Sequence, residues 1–262
     1  MISVGSAEID AWLAALLWPL ARILGLFAAA PVFGTQGIPT QVQVGLGLLL
    51  ALVVAPTLPA LPQVELASGA GLLILAGQLL IGLAMGLAMR IVFVAVDLAG
   101  EIVGLQMGLG FASLYTPQSA ADNPIISAFL GMLTTLVFLA LDGHLLLIST
   151  LADSFQVLPM AANPPAGKGL QTLVVWGGKI FLAGLFLSLP LLAALLVTNL
   201  ALGILSRAAP QLNLFAIGFP LMLGIGMAVL ALVLPYLLPS LERLFQEGYA
   251  AMLRVASDAR PR

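Results

Sequence analysis

Arg90, Asp97 and Glu101 are spaced by steps of 7 and 4 residues, so a continuous helix would carry all three on one face. Gly86, Gly104 and Gly108 fall close to the same stripe. Ionisable side chains set in apolar sequence are the material of a proton or ion relay in a transporter. The plainer reading is that Arg90 neutralises one carboxylate while the other lies near an interface. It is preferred, because no second basic or carboxylate cluster continues a path. Asp142-Gly143-His144 contains the only histidine, with Asp153 and Ser154 following further along. A hydrolase would use such residue types, but no nucleophile elbow accompanies them. One His and one Asp make at most half a metal site. A structural role at a helix end is the better reading.

Two further stretches combine polar residues with chain breakers. In Arg207-Ala208-Ala209-Pro210-Gln211-Leu212-Asn213, Arg207 is placed to interact with the dipole at a helix C-terminus. Pro210 forces a break and Asn213 can cap the next helix. A well-capped hairpin turn accounts for most of this motif. Gln106-Met107-Gly108-Leu109-Gly110-Phe111-Ala112-Ser113-Leu114-Tyr115-Thr116-Pro117 is the least usual stretch. Glycine permits sharp turns and close approach, while Met, Leu, Phe and Tyr supply apolar bulk that can re-form a seal around varied shapes. Such a loop can close a pore or serve as a static buried connector, and the residues fit both.

The elements that hold these groups must be apolar. The chain has 262 residues but only nine basic and eleven acidic ones, or 8% charged, against 61% hydrophobic. A soluble chain carries about a quarter charged residues, so this one belongs in a membrane or among subunits of its own kind. With no cysteine it offers no disulfide, thiolate metal site or cysteine nucleophile. A net charge of −2 gives no field for nucleic acid. Met1–Asp10 lacks a basic n-region and does not resemble a cleaved signal peptide.

Charge-free runs and breakers predict an all-α protein with about six long apolar helices interrupted by prolines. Their expected ranges are Ala11–Ala30, Thr40–Ala55, Ala70–Val96, Ile125–Thr150, Thr172–Leu205 and Leu214–Leu238. A short helix is expected over Asp97–Gly108, and an amphipathic tail from Ser240 to about Ser257. Pro19, Pro190, Pro220 and Pro235 lie inside apolar segments, where each removes a backbone hydrogen bond that lipid cannot replace. Gly82 with Gly86, Gly100 with Gly104 and Gly108, and Gly224 with Ala228 are spaced for close helix contact, within the chain or between subunits.

Several of these stretches together resemble the FliR family of flagellar biosynthetic proteins, whose virulence counterparts form the SctT/SpaR group of type III secretion. The matching residues are Ala30-Pro31-Val32-Phe33-Gly34 with Ile38-Pro39, and Asp97-Leu98-Ala99-Gly100-Glu101 leading into Gln106-Met107-Gly108-Leu109. They continue with Asp142-Gly143-His144, Asp153-Ser154-Phe155, and Arg207 to Phe215 with Gly218-Phe219-Pro220. The resemblance implies a non-enzymatic, cofactor-free subunit of an export gate in the inner membrane and flagellar basal body. It implies a FliP-like part over about residues 1–150 and a FliQ-like part over 151–262. One copy would join several FliP and FliQ subunits, near FlhB, FlhA and the basal-body ring, in a channel for unfolded flagellar proteins. The family's plug maps onto Gln106–Pro124, with Met107, Leu109, Phe111 and Tyr115 as bulk in the closed lumen, and with Gln106 and Pro117 also among the residues of the loop. The competing expectation is a self-contained secondary transporter working through Arg90, Asp97 and Glu101.

Overall fold

The computed structural model describes residues 6–34, 37–58, 62, 64–110, 125–160, 167–209 and 214–260. Among these it contains helices and no strand. They are α1 (Ser6–Ala29), α2 (Thr40–Val54), a 3-10 turn (Ala55–Thr57), α3 (Gly69–Gln106), α4 (Ile125–Ala140), α5 (Gly143–Val157), α6 (Lys168–Gly177), α7 (Lys179–Ala208) and α8 (Leu214–Asp258). Among the described residues five stretches are long and apolar enough to cross a membrane, and six if α4 and α5 count as one broken span.

The all-α expectation holds, but four boundaries differ from those read in the sequence. The helix expected to end at Val96 runs on as α3 through Asp97–Gln106 for 38 residues, because charges on an exposed face do not interrupt backbone hydrogen bonding. The expected Ile125–Thr150 helix divides at Leu141–Asp142, where Asp142 adopts a left-handed conformation (φ 55°). Gly177-Gly178 separates α6 from α7 within the segment read as one helix. The tail expected from Ser240 is the last part of α8, a 45-residue helix containing Pro220, Pro235 and Pro239. Pro19 and Pro190 likewise lie inside α1 and α7. Each proline removes one bond of a ladder that its neighbours keep intact.

Two compact units divide the chain. The first comprises Met1–Ile91, Leu141–Gly177 and Phe245–Arg262. Its centre is the crossing of α1 and α3, where glycines bring the two backbones together. A Cβ at Gly25 would meet the carbonyl oxygen of Leu79, one at Gly82 that of Arg22, and one at Gly86 that of Leu26. The Gly82/Gly86 pair thus packs within the chain. Ser68 caps α3, its hydroxyl accepting from the Gly71 amide at 3.1 Å. The end of α8 completes this core with buried Phe245, Met252, Val255 and Ala256. Tyr249 donates its hydroxyl to the Gly143 carbonyl at 3.0 Å, and Thr172 donates to Asp258 at 2.7 Å. After α1, Phe33 N bonds Pro31 O at 2.8 Å around Val32, which has a φ of 69°. That is a γ-turn of the strained hand, centred on a β-branched residue. Phe33 stacks on Phe27 (4.7 Å), and Gln43 donates to its carbonyl at 2.8 Å.

The second unit comprises Val92–Ala140 and Gly178–Leu244. Gly100 of α3 lies against the Ser127 backbone of α4, and the Ser127 hydroxyl donates to the Asp97 carbonyl at 2.8 Å. Phe93 and Phe138 meet edge to face at 5.5 Å. Gly184 lets α7 approach Ala95 and Leu98. A small apolar cavity lies among Val96, Val103, Leu130, Leu191, Leu230 and Leu241.

Candidate functional site

The unusual glycine–methionine stretch begins where α3 stops, and the stop is well made. Leu109 N bonds Gly104 O at 3.0 Å, and Gly108 N bonds Leu105 O at 3.0 Å. Gly108 itself has a φ of 84°. These two bonds and the left-handed glycine constitute a Schellman C-cap, which satisfies carbonyls a helix end would otherwise leave open. Met107 also closes a last helical bond, to Val103 O at 2.9 Å. Its side chain is fully buried, with Sδ, Cγ and Cε over the Cα of Gly226 in α8, so that a Cβ there would come within 2.7–2.9 Å of them. Gln106, Leu109 and Gly110 are half-buried. Phe111, Tyr115 and Pro117 lie outside the described residues.

Arg90, Asp97 and Glu101 all lie on α3 and are all exposed. An occluded relay would need them turned inward, and the structure does not bring them to an enclosed site. Asp97 is engaged with α4: its backbone carbonyl accepts from Ser127, and its Oδ1 lies close to Gly131. Asp142 is exposed at the α4–α5 junction, where its carbonyl accepts from Leu145 and Leu146. His144 is half-buried in the first turn of α5, with Nδ1 buried and unbonded among the described residues. Arg207 is exposed in the last turn of α7, while Pro210 and Asn213 lie outside the described residues.

Sequence reasoning missed Arg22, which marked only the boundary of a charge-free run. Its guanidinium is fully buried in the first unit. Nε donates to Gln78 Oε1 (2.7 Å), Nη1 to Ser154 Oγ (3.1 Å) and Nη2 to the Leu158 carbonyl (2.9 Å). The Phe155 ring lies beneath it, 4.2 Å from Cζ. Among the described residues every one of these partners is neutral. Leu158 is the C-cap residue of α5, so the cation lies where the dipole of that helix is negative and its carbonyls lack partners. Arg22 therefore pins α1, α3 and the end of α5 together. The sequence signal was a lone arginine between long apolar runs, a position that is costly unless its donors are satisfied.

The apolar surface left over is large. Only 11% of Thr40–Thr57, and 17% of the most apolar 18 residues within Gly218–Asp258, is buried within the chain. Exposed residues include Leu49, Val53, Phe181, Phe186, Leu232 and Tyr236.

Comparison with known proteins agrees with this picture of an apolar helical subunit. Residues 13–248 match the family described as Bacterial export proteins, family 1. The chain is 45% identical over 249 residues to the flagellar biosynthetic protein FliR of Pectobacterium carotovorum subsp. carotovorum, covering 95% of each. It is 42% identical over 258 residues to FliR of Escherichia coli (strain K12), covering 98% of each. With FliR of Bacillus subtilis (strain 168) it shares 31% over 212 residues, 80% of this chain and 82% of that one. A match over nearly the whole length, carried by an all-helical apolar fold, places this chain in the bacterial export protein family 1, among the FliR-type proteins of flagellar biosynthesis.

Proposed function

We propose that this chain is a non-enzymatic subunit of the flagellar type III export gate, which joins FliP and FliQ to form a channel for unfolded rod, hook and filament proteins. One copy per channel, in the inner membrane at the basal body and near FlhB and FlhA, is the arrangement that the family resemblance favours. The FliP-like part covers about residues 1–150 and the FliQ-like part about 151–262. Residues 106–124 are its plug.

The observation that carries this reading is the mismatch between helix length and bilayer. At 1.5 Å per residue, the 38 residues of α3 extend about 57 Å and the 45 of α8 about 67 Å. The hydrocarbon of a bilayer is only about 30 Å thick. Tilt accommodates part of the excess, and the far end of α8 packs into the chain's own first unit, but the exposed apolar residues of α3 still reach from Leu72 to Leu105, farther than the hydrocarbon extends. Companion helices supply the cover. The self-contained transporter is not favoured, because Arg90, Asp97 and Glu101 are exposed.

Two measurements test the proposal. Purified by affinity tag in mild detergent, the chain is expected to bring FliP and FliQ with it in excess, and a lone monodisperse species would defeat the reading. Deletion of Gly110–Ser119 in the assembled gate is expected to raise ion conductance while secretion continues. An intact gate that leaks no more than the unaltered one would remove the plug.

A further inference from the structure

The end of α3 has an asymmetry that the plug alone does not explain. Of the apolar residues at the start of the 106–124 stretch, Met107 is fully buried inside the chain, whereas Leu109, two residues on, is half-buried. The burial depends on one position. Three atoms of the Met107 side chain occupy the space where a Cβ of residue 226 would stand. Residue 226 is a glycine inside a long helix, where glycine costs about 1 kcal/mol relative to alanine. Gly224, two residues earlier in α8, has nothing within 4 Å of the corresponding point. Gly226 is thus the glycine of this pair whose missing side chain is used. Between Met107 and the rest of the loop lies Gly108, whose φ of 84° is a conformation that L side chains rarely adopt.

We infer that Gly226 is the socket of a latch, and that Met107, seated in it, fixes the direction in which the loop leaves α3. Met107 then acts as the anchor of the plug rather than as part of its sealing bulk. Methionine suits the task, because an unbranched thioether fits against a flat backbone and leaves without breaking a hydrogen bond. The left-handed Gly108 turns whatever movement follows into a change of loop direction. The inference rests on the plug reading for its functional meaning, but the latch is read independently of it.

The chain has no cysteine, so a Leu109→Cys substitution provides its only thiol. In the co-purified complex, a water-soluble maleimide reports how often the start of the loop comes free. Gly226→Ala is expected to speed labelling of that thiol about tenfold, as an overpacked contact gives way at the flexible side chain. Met107→Ala, which leaves α8 untouched, is expected to do the same. Returning the volume from the other side, in Met107→Ala with Gly226→Leu, is expected to bring labelling back to within about twofold of the starting rate. Unchanged labelling in both single variants, with the complex assembled, overturns the latch. Conductance separates the two ideas. If deletion of Gly110–Ser119 leaks and Gly226→Ala labels faster, latch and plug both stand. If the deletion does not leak, the plug fails while the labelling still decides the latch.

Discussion

An Arg22→Met variant is expected to lose about 3 kcal/mol of stability and to assemble poorly. Methionine fills much of the space but donates nothing, so Gln78 Oε1, Ser154 Oγ and the Leu158 carbonyl lose their donor together. A buried polar group left unsatisfied costs about 1–3 kcal/mol. Part of that is offset, because a desolvated cation is no longer buried among neutral partners. Ser154 also keeps its own bond to the Leu151 carbonyl (2.6 Å), which limits its share. About 3 kcal/mol remains, a shift of roughly a hundredfold in the folding equilibrium. Arg22→Lys is expected to recover only a fraction, since one ammonium cannot span three acceptors arranged around a planar fork and stack on Phe155 as well. The check is the thermal midpoint and yield of the detergent-solubilised complex. Equal midpoints for Arg22→Met and the unaltered chain would show that the network contributes nothing.

Gly82→Ala is expected to do comparable damage with a single methyl group. The added carbon would run into the carbonyl oxygen of Arg22, a backbone atom that cannot rotate aside. The helices α1 and α3 would have to part, and the flanking contacts of Gly25 with Leu79 and Gly86 with Leu26 would open with them. Overpacking of this kind costs about 1–3 kcal/mol and more where backbone must shift, so the upper end of that range is expected. Gly224→Ala is the contrast, because its methyl meets nothing within the chain. It is expected to leave stability unchanged or to raise it by up to about 1 kcal/mol through helix propensity. Equal thermal midpoints for the Gly82 and Gly224 variants would remove the close crossing from the account.

The helices were legible where hydropathy and breakers agreed. Thr40–Ala55 and Thr40–Val54 are nearly the same element, and Arg207 lies in the last turn of its helix as expected. The boundaries that differ are those where a charge ends a hydropathy run without ending the helix. Asp97 and Glu101 closed a hydropathy run yet sit in mid-helix, and the same holds for the charges beyond Ser240 in α8. Of the two breaks inside expected helices, the one between α4 and α5 falls at Asp142-Gly143-His144, the motif given a role at a helix end, while the one at Gly178 between α6 and α7 has only a glycine pair as its signal. The spacing of Gly82 and Gly86 announced a close contact but not its partner, since which helix lies opposite is decided by tertiary packing. The partners of Arg22 and the use made of Gly226 could not be read from local pattern. Arg22's three acceptors lie 56 to 136 residues away, and the use made of Gly226 depends on a methionine more than a hundred positions earlier.

The first compact unit takes its closing piece, Phe245–Arg262, from the far end of the numbering. A ribosome therefore makes the rest of that unit, including the Gly143 and Thr172 that this segment bonds, well before its closing piece exists. Until Tyr249 and Met252 emerge, the faces they cover stay bare during synthesis, and such delayed long-range closure is slow and prone to wrong associations. A nascent chain of this kind gains from meeting its neighbours early, which ties the timing of its birth to theirs.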